Sequence, residues 1–230
     1  MQYFGGKARI AKDIARILNN YVKPQALYLE PFCGGLNVTQ YINPAANRVA
    51  MDFNLDLIQL YKAIQQGYEL PETITEERYY KLKAQPFFTA EKAFAGFACS
   101  FSGKYFGGFA RNNRGCNYAK DGKNSLLRKF KNLNGVTFQH QNFLTLSNVK
   151  GAVIYCDPPY AGTTGYKMGA FDSAAFWQKC RDLSADNLIF ISEYEAPEDF
   201  IEVWRKDVKL EIRDGNNARK DRTEKLFTFI

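Results

Sequence analysis

Seven short runs along the chain read as strands: Ala26–Glu30, Arg48–Asp52, Val136–His140, Ala152–Asp157, Leu188–Ser192, Val208–Arg213 and Lys225–Ile230. Several are continuously apolar, as strands covered on both faces are. Between them the apolar period lengthens to that of a helix. Ile10, Ile14, Ile17 and Leu18 make one stripe. Leu57, Leu60, Tyr61 and Ile64 make a second, with Asn54 placed to cap it, and Phe176, Cys180 and Leu183 make a third behind a capping Asp172. Strand alternating with helix predicts an α/β fold, a doubly wound, mainly parallel seven-stranded sheet.

The alternation breaks between about Gly67 and Asn134. Helical patches (Glu76–Lys83, Glu91–Cys99) give way there to a Gly-, Asn- and Arg-rich stretch, Ser102–Lys123. Residues 1–66 and 135–230 are therefore expected to form one domain and residues 67–134 an insertion between its second and third strands. The chain carries 31 basic and 24 acidic side chains, a formal charge of +7. Between Gly103 and Lys131 eight basic residues face a single acid, Asp121, so the excess is concentrated in the insertion. Such a stripe fits a polyanionic partner, and also a plain solvated loop. The five cysteines (Cys33, Cys99, Cys116, Cys156, Cys180) form no C-x-x-C pair, which predicts a reduced, cytoplasmic protein. With a single histidine, His140, expected at a strand end, no metal site is expected. No apolar run is long enough to span a membrane, and the N-terminal segment lacks an apolar signal core.

The most informative motif is Asp157-Pro158-Pro159-Tyr160, directly behind the apolar strand Ala152–Cys156. Ligands of α/β sheets bind beyond the carboxyl ends of strands. Two prolines stiffen the turn and leave no N–H to satisfy. Such a turn can aim the Asp157 carboxylate and the Pro158 carbonyl at one exocyclic amine. An aromatic amine's lone pair is delocalised into its ring, so accepting both amino hydrogens favours a pyramidal, nucleophilic nitrogen. A fixed acceptor beside the positive charge that develops there stabilises the transition state. Tyr160 offers a face on which an extruded base can stack. Taken alone, the four residues fit a plain strand-to-loop turn equally well.

Two weaker signals lie upstream. Tyr28-Leu29-Glu30-Pro31-Phe32-Cys33-Gly34-Gly35 reads as a strand, a Gly-rich turn and a helix beginning near Leu36. It is not a G-x-G-x-x-G fingerprint. The second strand ends at Asp52, where a carboxylate can accept the ribose hydroxyls of a nucleoside or simply cap the next helix. Tyr3-Phe4-Gly5-Gly6-Lys7 is not a phosphate loop, because Ala8 stands where Ser or Thr is needed.

In this order, Tyr3–Lys7, Glu30–Gly35, Asp52 and Asp157–Tyr160 closely resemble the Dam-type family of adenine-N6 DNA methyltransferases over nearly the whole chain. The run Asp52-x-Asn54-x-Asp56-Leu57-Ile58 fits as well. The resemblance implies a Rossmann-like fold that binds S-adenosylmethionine. Tyr3, Gly5, Gly6 and Lys7 would meet its methionine end, Glu30, Pro31, Phe32 and Gly34 its amino-acid moiety, and Asp52 its ribose. Asn142 and Phe143, where the family often has Asp-Phe, would meet its adenine. Asp157, Pro158 and Tyr160 would bind the flipped target base, with Asp157 also beside the cofactor. The insertion would be the target-recognition region, rewired around Phe109–Gly115. Lys104, Arg111, Asn113, Arg114 and Lys123, with Arg219 and Lys220 of the polar stretch Arg213–Arg222, would touch DNA. The implied partner is double-stranded DNA in a bacterial or virus-infected bacterial cytoplasm, the implied protein a monomer that uses no metal and no membrane. RNA adenine, cytosine N4 and a non-catalytic DNA-binding module are the alternatives.

Overall fold

The computed structural model describes residues 1, 3, 5–112, 115–160, 171–213 and 219–229, with backbone alone for 209–213 and 219–221. The seven expected strands form one sheet: β1 (Leu27–Glu30), β2 (Asn47–Asp52), β3 (Thr137–His140), β4 (Ala152–Cys156), β5 (Leu188–Glu193), β6 (Phe200–Arg213) and β7 (Arg219–Phe229). Their order is β3-β2-β1-β4-β5-β7-β6, with β1 to β5 parallel and β7 antiparallel between β5 and β6. The chain builds outward from β1 to β3, then returns to lay β4 on the other edge of β1. The switch point, where ligands of such sheets bind, thus lies between the carboxyl ends of β1 and β4.

Strands β1 and β4 alternate which face they bury. Tyr28, Val153 and Tyr155 pack under α1 (Ala11–Asn19) with Ile14 and Leu18. Leu29, Ile154 and Cys156 pack on the opposite face against Phe176, Cys180 and Leu183 of α6 (Ser173–Ser184). The expected caps form. The Asn54 side chain accepts from Leu57 N at the start of α2 (Leu55–Gln65), and that of Asp172 accepts from Ala175 N.

The described residues of segment 67–134 include three α-helices, α3 (Glu76–Ala84), α4 (Ala90–Ala98) and α5 (Tyr118–Phe130), and a 3-10 turn, Phe101–Gly103. Their Tyr79, Leu82, Phe94, Phe97 and Leu126 share one apolar cluster with Leu57, Leu60 and Tyr61 of α2 and Phe138 of β3. The segment is therefore built onto the sheet domain through a common core. Arg48 of β2, buried, closes its far end by donating to Asn132 O (2.9 Å) and Asn134 O (2.6 Å). Helix α5 runs through part of the stretch expected to be irregular. Its Gly122 sits where a Cβ would come within 2.7 Å of Ala98 Cβ, so the helix breaker permits close packing on α4.

Two further expectations are corrected. No helix begins near Leu36; Gly34 (φ 41) and Leu36 (φ 57) are left-handed, and only a single 3-10 turn, Thr39–Tyr41, follows. Strands β6 and β7 begin well before Val208 and Lys225. They pair as a long ribbon, and the polar stretch Arg213–Arg222 is strand at both its ends. Cross-strand polar pairs such as Thr223 Oγ1 to Asp207 Oδ1 (2.7 Å) hold the ribbon where apolar patterning is weak.

Candidate active site

The carboxyl ends of β1, β2 and β4 carry three acidic residues into one region: Glu30, Asp52 and Asp157. Behind β4, Asp157 meets the N-terminal segment. Lys7 Nζ lies 3.1 Å from Asp157 Oδ1 and 3.3 Å from Glu224 Oε2 of β7. The same ammonium stands 3.9 Å from the centre of the Tyr160 ring, and Tyr160 donates its hydroxyl to Glu224 Oε2 at 3.0 Å. Tyr194 stands edge-on to Tyr160 at 4.6 Å and accepts at its hydroxyl from Arg222 (2.8 Å). Pro158, between Asp157 and Tyr160, is buried.

The electrostatics follow from this packing. Burial pushes the Asp157 carboxyl up to about 6; Lys7 opposes the shift, and the neighbouring Glu224 charge adds to it. Burial alone would lower the Lys7 ammonium, but the charges of Asp157 and Glu224 outweigh it and raise it. Lys7 therefore keeps its proton beside a carboxyl whose burial it partly offsets.

The Gly-rich turn is shaped by Tyr3. A Cβ on Gly34 would lie 2.8 Å from the Tyr3 ring, so only glycine lets this ring lie on the turn. Tyr3 also stacks on Phe97 of α4 (5.8 Å), which joins the N-terminal segment to the insertion. Gly5 and Gly6 lead on to Lys7, Gly5 with φ 75. Gly34 N donates to Asp52 Oδ2 (3.0 Å), and Asn54 N donates to Asp52 Oδ1 (2.9 Å). Burial raises the Asp52 carboxyl to about 6, against the backbone donors Asn54, Gly34 and Phe53. Beyond buried Pro31, Phe32 stands 5.3 Å from Phe143 and 5.9 Å from Phe176, an aromatic wall. Asn142 caps the turn Phe143–Thr145, its Oδ1 accepting from Leu144 N (3.0 Å). Glu30 points into the core, accepting from Tyr28 (2.8 Å) and Thr39 (2.6 Å), and burial raises its carboxyl to about 8.

The structure therefore brings Lys7, Asp157 and Tyr160 together with Glu224, and it sets both Tyr3 and Asp52 against the Gly-rich turn. The basic stripe does not form one free face. Lys129 is buried, donating to Gly35 O and to Asn37 Oδ1 (2.7 Å). Arg111 is exposed but paired with Glu76, and Lys123 pairs with Glu72 at 3.2 Å. Lys104 is partly exposed, beside the bridge Ser100–Phe109. Asn113 and Arg114 lie outside the described residues, as do the side chains of Arg219 and Lys220. His140 sits at the end of β3 with Nε2 3.0 Å from Phe53 O, a strand-end residue as expected. Among the described residues no cluster of His, Cys, Asp and Glu is arranged to hold a metal, and no helix is long and apolar enough to cross a membrane.

The family model of the D12 class N6 adenine-specific DNA methyltransferases matches residues 3–96 and 100–183, a span that takes in Tyr3, Lys7, Asp52 and the Asp157–Tyr160 loop. The chain belongs to that family. The methyl donor of this D12-class chain is S-adenosylmethionine. The chemistry of the site suits that group: a buried carboxylate for a diol, aromatic rings for an adenine, and charged side chains for a zwitterion. No curated protein matches the chain. Solved structures that resemble it include TrmN from Thermus thermophilus (12% identity, TM-score 0.44, 98% of this chain and 52% of that one). Another is precorrin 8w decarboxylase from Methanobacterium thermoautotrophicum (9%, 0.45, 99% and 94%). An rRNA methylase from Streptococcus thermophilus is a third (6%, 0.44, 96% and 95%).

Glu224, Tyr194 and Arg222 were not anticipated from the sequence as parts of this site. Once β7 is known to reach back past Lys225, the period of two puts Glu224 on the face of the buried Leu226 and Thr228.

Proposed function

We propose that this D12-class enzyme transfers a methyl group to the N6 amine of adenine in double-stranded DNA. The observation that carries the reading is the Asp157 carboxylate on a double-proline turn, largely buried, with Lys7 Nζ 3.1 Å away and the Tyr160 ring beside that ammonium. Asp157 accepts one amino hydrogen and the Pro158 carbonyl the other, which frees the nitrogen lone pair. Positive charge developing on that nitrogen is met by a carboxylate already in place, so the interaction strengthens towards the transition state. Tyr160 packs against the flipped base.

The bound cofactor supplies an electrophilic sulfonium methyl. Asp52 would accept from its ribose hydroxyls, Phe32 and Phe143 would flank its adenine together with Asn142, and Lys7 with Tyr3 would hold its methionine end. Glu30 acts from within the core, tying β1 to the 3-10 turn Thr39–Tyr41 through Tyr28 and Thr39. A base reaches such a loop only after leaving the duplex stack, at a cost of a few kcal/mol. Segment 67–134 supplies the compensating contacts through Lys104, Arg111, Asn113, Arg114 and Lys123, with Arg219 and Lys220 of the ribbon, so DNA binding weakens steeply with salt. A carboxylate at position 157 suits adenine better than cytosine N4.

The test is methyl transfer from labelled S-adenosylmethionine to unmethylated duplex DNA and to RNA side by side, with the products digested to nucleosides. Label in N6-methyldeoxyadenosine supports the reading. Label confined to RNA, or to cytosine, overturns it.

A further inference from the structure

Glu224 stands on β7, two strands from β4 in the sheet, yet its Oε2 meets both neighbours of Asp157. It lies 3.3 Å from Lys7 Nζ and accepts from Tyr160 OH at 3.0 Å. Its side chain is 15% exposed, that of Asp157 18% and that of Lys7 8%, so two carboxylates share one ammonium in a nearly dry setting. Such an arrangement is expensive, because like charges repel and both lose hydration. The sheet has no need of it: Leu226 and Thr228 fill the same face of β7 without any charge.

Building on the reading of Asp157 as amine acceptor, we infer that Glu224 is a positioning residue for methyl transfer. It holds the Lys7 ammonium and the Tyr160 hydroxyl on one oxygen, so that Lys7 is shared and the Asp157 carboxylate remains available to the incoming amine. Without Glu224, Lys7 collapses onto Asp157 and competes with the substrate for its lone pairs, while Tyr160 loses an anchor for its ring.

Among the described residues, the charged and titratable groups around Asp157 are Lys7, Glu224, Tyr160, Tyr155, Cys156 and Glu30. Burial is the largest cause raising the Asp157 carboxyl, and the Glu224 charge acts in the same direction. Removing that charge therefore lets Asp157 ionise at lower pH, an effect that a purely structural role for Glu224 would not produce.

The experiment compares Glu224→Gln, Glu224→Leu and Asp157→Ala with the unmodified full chain. Glu224→Gln keeps an acceptor for Tyr160 and removes only the charge. The expected result is a folded protein whose kcat falls roughly 10- to 100-fold, the worth of a charge-assisted hydrogen bond, with its acid limb moved to lower pH. Glu224→Leu, which removes the Tyr160 acceptor as well, loses more and raises the KM for DNA. NMR of the Asp157 carboxyl carbon gives its titration midpoint without any turnover, and that midpoint falls in Glu224→Gln. Wild-type kcat, limb and midpoint in Glu224→Gln, beside an inactive Asp157→Ala, overturn this inference alone. An Asp157→Ala protein that still methylates removes the reading on which it rests, and the inference with it.

Discussion

Replacing Lys7 by methionine tests the charge balance of the site. Lys7 is the cation in contact with Asp157, 3.1 Å away, and it also offsets Glu224 at 3.3 Å. At that separation, with an effective dielectric of about 20, the Lys7–Asp157 attraction is about 5 kcal/mol before screening. Residual solvent access and the competing pull of Glu224 reduce the net effect. A cation at this range typically lowers an Asp pKa by roughly one to three. In Lys7→Met the Asp157 midpoint therefore rises from about 6 to roughly 7–9, with the proton shared between two carboxylates that can no longer both ionise. Because the anionic form is the amine acceptor, the acid limb of kcat moves upward by the same amount. At neutral pH turnover falls up to about a hundredfold and recovers in alkali. The assay is kcat from pH 5.5 to 9.5 on duplex DNA, with S-adenosylmethionine saturating so that weakened cofactor binding does not enter. A limb that stays where the wild-type limb lies, or moves to lower pH, refutes the reasoning.

Other consequences follow from the buried acids. Burial raises Glu30 from 4.5 to about 8, so its contribution to stability is complete below its unfolded pKa and is lost as pH climbs through about 8. Glu30→Gln should melt close to wild type near pH 4.5 and be the more stable protein by up to a few kcal/mol at pH 9; parallel melting curves across that range would contradict the buried, protonated assignment. Asp52→Ala removes the acceptor proposed for the ribose and should raise the S-adenosylmethionine dissociation constant by roughly 10- to 100-fold with little change in DNA affinity, measured by calorimetry; an unchanged constant takes Asp52 out of the cofactor site.

Much of this was legible in the sequence because the elements that carry it are local. Short apolar-rich runs marked β1 to β5, and the motifs at the ends of β1, β2 and β4 fell where an α/β sheet binds ligands. The Asn54 and Asp172 caps were readable from residue type and position. What escaped depended on contacts between distant segments. Helix α5 carries Gly122, a poor helix former, and its reason is the approach of Ala98 on α4. Lys129 reads as one more cation of a basic stripe, yet it is buried, bonded to the backbone of the Gly-rich turn and to Asn37. Glu224 lies one residue before the apolar run at Lys225, so hydropathy alone leaves it outside the strand, whereas pairing with β6 carries β7 back to Arg219. The turn after β1 reads in sequence as the start of a helix, because its left-handed Leu36 has no signature in residue type.

The most direct measurement is a map of N6-methyladenine in DNA from cells that otherwise lack the mark, expressing either this chain or its Asp157→Ala variant. The account predicts methylated adenines within one short recurring sequence for the unmodified chain, and none for the variant at equal protein level. An unmarked genome in the presence of the folded, cofactor-binding protein, or equal marking by Asp157→Ala, would contradict it.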